Sequence, residues 1–238
     1  MGFPGDCAIH RAALDLVGGR WSAAETGAQR ACDGRRPFEL SHAIDAHATI
    51  ADVRLRMGDL DGASRALDRT LELGGSGEPG QSLLRLARGD RVGAWRSIRA
   101  ALTDAGEPLA RARLLSAHVD IAVANGELAS ASEAATELES TAARGGTSGL
   151  RAVALQARGT VELARGDNGA PLRPLRGAIV RWREAGAPYE AARCGYLLAA
   201  ALRRTGDEAA ADAQIGTADA VLEGLGVSPE AIKSMALG

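Results

Sequence analysis

Aromatic residues are scarce: three Trp, two Tyr and two Phe make up 3% of the 238 residues. Runs of β-branched residues are few as well, which argues against a sheet protein and for an all-α one. Lysine is almost missing. Lys233 is the single lysine, so arginine supplies 27 of the 28 basic side chains. Codon usage in a GC-rich genome favours this bias; a groove that grips carboxylate or phosphate with bidentate guanidinium geometry is the functional alternative. Three cysteines, Cys7, Cys32 and Cys194, are too few and too dispersed for a disulfide framework. No apolar run is long enough to span a bilayer, and no basic-then-apolar leader precedes a cleavage site, so the expectation is a cytoplasmic chain with no membrane role. Acidic and basic residues nearly cancel at a net charge of −2, which gives no broad field for direct nucleic-acid binding.

Glycine is what the chain has in order. A short turn recurs at Gly19, Gly58, Gly89, Gly126, Gly166 and Gly206. The spacing is nearly regular, and a period of this size predicts stacked helical hairpins. The residue after five of these glycines is acidic (Asp59, Asp90, Glu127, Asp167, Asp207), which suits a helix N-terminus; after Gly19 it is Arg20. Five residues past the glycine stand Ala24, Ala63, Ala94, Ala131, Pro171 and Ala211. Nine past it stand Ala28, Leu67, Ile98, Ala135, Leu175 and Ile215, and twelve past it Ala31, Thr70, Ala101, Leu138, Ala178 and Ala218. Steps of four and three place these on one helical face. Seven before the glycine stand Ala12, Ala51, Ser82, Val119, Gly159 and Ala199, mostly small, so two helix axes can approach closely.

This pattern resembles the tetratricopeptide repeat, with a small residue in the first helix, a Gly turn seven residues on, then Ala, an aliphatic residue and Ala along the second helix. The fold it implies is a superhelical array of about six antiparallel helix pairs, a TPR-like α-solenoid. The expected pairs are 6–17 with 20–33, 39–57 with 59–74, 80–88 with 90–104, 108–125 with 127–144, 149–165 with 168–186, and 188–205 with 207–225. Residues 1–5 read as a flexible start, 6–226 as the repeat domain and 227–238 as a C-terminal tail. The Gly-rich stretch 74–80 marks a bend. Pro171 and Pro174 predict that the helix near them starts late or kinks. The strings Asp6–Ala12, Glu107–Leu115 and, most specifically, Trp182–Arg193 resemble the repeat region of large bacterial LuxR-type, MalT-like transcription regulators. That resemblance covers about residues 6–226. It implies a sensor or scaffold role linked to transcription regulation. The family's ATP-binding and helix-turn-helix modules have no counterpart in this sequence.

Chemistry is sparse. Cys7 and His10 share a helix face, but no two further metal ligands accompany them, and His42 and His47 stand about 140° apart on a helix. His118 occupies a position where tetratricopeptide repeats bury Leu, which favours packing over catalysis. No catalytic residues, metal or cofactor are expected, and the chain reads as a non-enzymatic binding protein. By the family's phase, the concave face takes residues thirteen, ten, six and two before each turn glycine. These include Asp52, Arg56, Arg113, Asp120, Gln156, Arg193, Tyr196 and Arg204. The expected occupant is a protein or peptide, or a small effector, which the arginines would favour if anionic. Leu16, Leu55, Leu86, Val123 and Leu163, three before the glycine, imply either a rotated first helix or an apolar groove floor. Two alternatives stay open: a biosynthetic accessory protein or enzyme with a small-molecule pocket, and a homodimer that buries Val221, Leu222, Leu225 and Val227.

Overall fold

A computed structural model describes residues 4–32, 40–167, 169–230 and 232–233, with side chains from Ala8 onward. Of the expected flexible start and tail, residues 1–3, 231 and 234–238 lie outside the described residues. Among the described residues there are twelve helices and no strand. They are α1 (Pro4–Val17), α2 (Trp21–Cys32), α3 (Leu40–Met57), α4 (Leu60–Glu72), α5 (Gly80–Ala87), α6 (Arg91–Asp104), α7 (Pro108–Ala124), α8 (Leu128–Ala143), α9 (Ser148–Arg165), α10 (Leu172–Glu184), α11 (Pro188–Arg204) and α12 (Glu208–Gly224). Each packs on its chain neighbours. Odd-numbered helices also touch the next odd-numbered helix, so they form an inner layer, while even-numbered helices pack mainly on their chain neighbours outside it. Contact between α4 and α5 is the thinnest in the series, where the Gly-rich stretch 74–80 joins them.

All six turn glycines are left-handed, with φ from 74° at Gly19 to 85° at Gly89. Only glycine holds that conformation without steric cost, and it reverses the chain at the end of each odd helix. Asp59, Asp90 and Asp207 then accept hydrogen bonds from the N–H groups of Gly62, Gly93 and Ala210, capping α4, α6 and α12. Glu127, one methylene longer, makes no such bond at the start of α8. Proline sets the exception. With Pro171 at its N-cap, α10 starts at Leu172, well after the turn.

The small residues do the packing. Ala24, Ala63, Ala94, Ala131 and Ala211 are fully buried, and so are Ile98, Ala135, Leu138 and Leu175. At Gly159 an added Cβ would stand 2.5 Å from Leu175 Cγ, so α9 and α10 meet there at a distance only glycine permits. The aliphatic residues three before each turn join these cores. Leu16 and Leu163 are buried within them, while Leu55, Leu86 and Val123 pack against them half-buried.

The two ends of the array touch. One core joins Leu16, Trp21 and Ala24 of the first pair and Val53 of α3 to Tyr189, Tyr196, Ala218 and Leu222 of the last pair. Gly19 lies against Leu225 and Pro188. Of the residues read as a surface for a partner's helix, Leu222 and Val227 are buried in this core, and Val221 and Leu225 pack against it half-buried. Val227 and Ile232, in the stretch expected as a tail, are buried in the same core. Tyr196 donates to Asp219 at 2.6 Å, and Lys233 reaches the same carboxylate at 3.0 Å, which ties that stretch to α11 and α12.

Arginine fastens one element to the next. Arg54 of α3 holds Glu25 of α2 at 2.6 Å, and Arg158 of α9 grips both oxygens of Glu139 of α8 at 2.8 and 2.7 Å. Arg111 pairs with Glu137 and donates to the Leu102 carbonyl at 2.7 Å. Arg204 donates to the Leu163 carbonyl near the end of α9.

Candidate functional site

Charge gathers where the inner helices α3, α7 and α11 converge. On α3, Arg56 donates to Asp52 one turn earlier, at 2.8 Å. The other side of its guanidinium meets Glu190 of α11 at 3.0 Å. Glu190 uses its second oxygen for Arg193, one turn later on the same helix, at 3.2 Å. Arg193 then reaches Asp120 of α7 at 3.1 Å. The result is an alternating ladder, Asp52–Arg56–Glu190–Arg193–Asp120, of three carboxylates and two guanidiniums. Arg56 also lies over the Tyr189 ring at 4.9 Å and near the Trp21 ring at 5.9 Å. The two rings meet edge to face at 5.6 Å, a favoured aromatic geometry.

Electrostatics and burial work together here. The side chains of Arg56 and Glu190 are only 17% and 16% exposed. Burial disfavours the Arg56 charge, but Asp52 and Glu190 more than reverse that, so its pKa rises above its already high value. Arg193 behaves the same way through Asp120 and Glu190. Burial pushes the Tyr189 phenol up to about 12, which keeps it neutral. Both arginines are therefore permanent cations whose charge is already met within the chain.

Four of the eight residues expected at a groove come together in this ladder, Asp52, Arg56, Asp120 and Arg193, while Arg204 is turned to the Leu163 carbonyl of α9. Arg113 stands exposed on α7, two turns before Asp120, and does not join them. Gln156 is buried on α9 and accepts from the Trp182 indole of α10 at 2.8 Å. Tyr196 is buried against α12. For Gln156 and Tyr196 the division follows helix geometry, whereas Arg113 shares position thirteen with Arg193 and stays outside for a reason other than phase. At 100° per residue, positions thirteen, six and two before the glycine lie within about 40° of one another, while position ten is rotated about 60° from position thirteen. That rotation turns Gln156 and Tyr196 towards their outer helices. Sequence reasoning missed Glu190, Tyr189 and Trp21. Glu190 had a weak signal, three residues before Arg193, the spacing of a helical ion pair.

The histidines stand apart. His118 is buried, and its Nε2 pairs with Ser130 Oγ at 2.9 Å while its ring tilts against Trp95 at 4.9 Å. Burial, then Arg99 and Arg111, lower its pKa to about 4, so it is neutral at pH 7. Its Nδ1 finds no hydrogen-bond partner among the described residues. Burial, then Arg69, lowers the His47 pKa against the opposing pull of Glu72. Of Cys7 and His10, the Cys7 side chain lies outside the described residues, and His10 is exposed. No group of three His, Cys, Asp or Glu residues able to hold a metal occurs among the described residues. Nor is any described helix long and apolar enough to cross a membrane.

Trp21 also lines two open grooves. One, of about 560 Å³, is lined by Trp21, Glu25, Gln29 and Met57. The other, of about 860 Å³, runs along α1 and α2 past Arg11 and Arg30. Comparison with protein-family models, with curated proteins and with solved structures finds no match.

Proposed function

We propose that this chain is a non-enzymatic helical-repeat scaffold that presents a rigid surface to a partner protein, in the regulatory setting that the likeness to LuxR-type, MalT-like repeat regions implies. The observation that carries this reading is the ladder itself. Its five charged groups are spent on one another and join helices far apart in the chain, from Asp52 on α3 through Asp120 on α7 to Arg193 on α11. A feature of that kind fixes the relative positions of distant helix pairs, which a docking platform needs. Catalysis would instead call for a titratable group held near working pH beside an open pocket.

The effector-sensor reading keeps one observation in its favour, the aromatic pair Trp21–Tyr189 against the half-buried Arg56 guanidinium. Three carboxylates against two guanidiniums leave the ladder with one excess negative charge. An anionic effector would have to displace Glu190 or Asp120, so a cationic ligand fits this charge balance better.

Native mass spectrometry of tagged protein, isolated gently from its own host, separates the two. A stoichiometric protein partner supports the scaffold. A small-molecule adduct that disappears in Arg193→Ala, with no protein partner, overturns it in favour of the sensor.

A further inference from the structure

Charge is distributed unevenly along this nearly neutral chain. Residues 144–184 hold eight arginines against three acidic residues, a net of +5, so the remainder carries −7. Part of this excess forms a line. Arg173, Arg176, Val180 and Arg183 are all exposed on α10. Their spacing of three, four and three residues puts them on one face, within an arc of about 80°. None of these three arginines makes a side-chain hydrogen bond or ion pair among the described residues, in contrast with the arginines that fasten the helices. Glu184, the helix's one acidic residue, is already held by Arg181 at 2.8 Å and Ser148 at 3.2 Å. Neighbouring outer faces differ: α12 exposes Glu208, Asp212 and Glu223, and α8 exposes Glu133 among Ala, Thr and Ser.

We propose that this face of α10 docks an acidic helix of a partner protein. The argument is charge complementarity along a line. Three planar guanidiniums, spread over about 15 Å of helix axis, match carboxylates spaced three or four residues apart on a second helix, and each can be gripped bidentately. Val180, 52% exposed between Arg176 and Arg183, offers the apolar point that such an amphipathic helix would cover. A nucleic acid fits less well. The nearest aromatic, Trp182, is turned inward to Gln156 and offers no stacking platform, and the −7 on the rest of the chain repels a long polyanion. The proposal rests on the scaffold reading and adds the chemistry of its partner.

The test uses the full chain and a fluorescein-labelled 14-residue helical peptide with Glu spaced three and four residues apart and one central Leu. Fluorescence anisotropy is followed from 50 to 200 mM salt. Binding should weaken steeply with salt, by about threefold for each of Arg173→Ser, Arg176→Ser and Arg183→Ser, and by about 30-fold for the triple variant. These side chains are exposed, so the variants should keep the parent's melting temperature, which is checked in parallel. No binding, equal binding by the triple variant, or at least tenfold tighter arginine-dependent binding of a 20-bp DNA duplex or of phosphatidylserine vesicles would overturn the proposal. If the peptide fails while a stoichiometric partner is still seen by native mass spectrometry, the scaffold reading survives and α10 is not its docking face.

Discussion

Glu190→Gln tests the ladder most directly, because one side chain serves two cations. The substitution keeps the shape and removes the charge. It leaves Arg56 with Asp52 and Arg193 with Asp120, each short of half its counter-charge. At 3.0 and 3.2 Å, each lost contact is worth about 5 kcal/mol of Coulomb energy at an effective dielectric of 20, before the desolvation that Glu190 no longer suffers is returned. Breaking a buried pair costs about 3–5 kcal/mol in practice. The ladder side chains are 16–30% exposed, so solvent screens part of that loss, and Gln can still accept one hydrogen bond. The expected net cost is about 2–3 kcal/mol. For a chain of this size it lowers the melting temperature by about 5–10 °C. Circular dichroism melts and urea titrations read the effect. Double-mutant cycles of Glu190→Gln with Arg56→Gln and with Arg193→Gln should each return a coupling of about 1–2 kcal/mol. A melting temperature within 2 °C of the parent, together with couplings near zero, would mean that the ladder is solvated and ties nothing.

Three further outcomes follow from particular contacts. His118 has a folded pKa of about 4 against 6.5 unfolded, so the fold prefers the neutral ring. Its share of stability is complete above pH 6.5, falls as the unfolded chain takes up the proton between pH 6.5 and 4, and changes no further below that. The full shift corresponds to about 3 kcal/mol, reduced to about 2 by solvent screening; His118→Gln should lose stability less steeply over that window, and parallel curves would refute the assignment. Gly159→Ala gains about 1 kcal/mol of helix propensity but drives a Cβ to 2.5 Å from the fully buried Leu175. A net loss of about 1–2 kcal/mol is expected in urea unfolding, and a stabilised variant would show that α9 and α10 have room to separate. Tyr196→Phe removes the 2.6 Å bond to Asp219 and should cost about 1–2 kcal/mol in urea unfolding; an unchanged midpoint would mean that Asp219 is held as well by Lys233 without the phenol.

Backbone requirements were legible in the sequence because they are local. A left-handed turn demands glycine, a close helix contact demands alanine or glycine, and both recur with the repeat. Hence the six turns, the buried small residues and the late start of α10 all follow from spacing. The aspartate caps were legible for the same reason, and the failure of Glu127 to cap is a matter of one methylene. The inner face was only half legible. Helix phase placed Asp52, Arg56, Asp120 and Arg193 on one side, but assigning position ten to that side ignored a rotation of about 60° that carries Gln156 and Tyr196 away. Glu190 was missed because its partner, Arg56 on α3, belongs to a helix far earlier in the chain, and no local pattern encodes where α3 and α11 meet.

That meeting changes the physics of the array. In an open stack each helix pair contacts only its neighbours, stability is a sum of adjacent terms, and the terminal pairs fray first unless polar caps protect them. Here the end pairs protect each other. Leu16 and Trp21 lie in one core with Ala218 and Leu222, so the apolar faces that an open stack would leave to solvent are buried against the opposite end. The ladder adds a polar tie beside that core, and its alternating signs fix the register at which α3, α7 and α11 approach. A slip of one helical turn would set Arg56 against Arg193 or leave Glu190 unpaired, and each is a costly arrangement in a partly buried place. The apolar seam and the ladder therefore bridge the two ends together, and the alternating signs of the ladder select which closure forms.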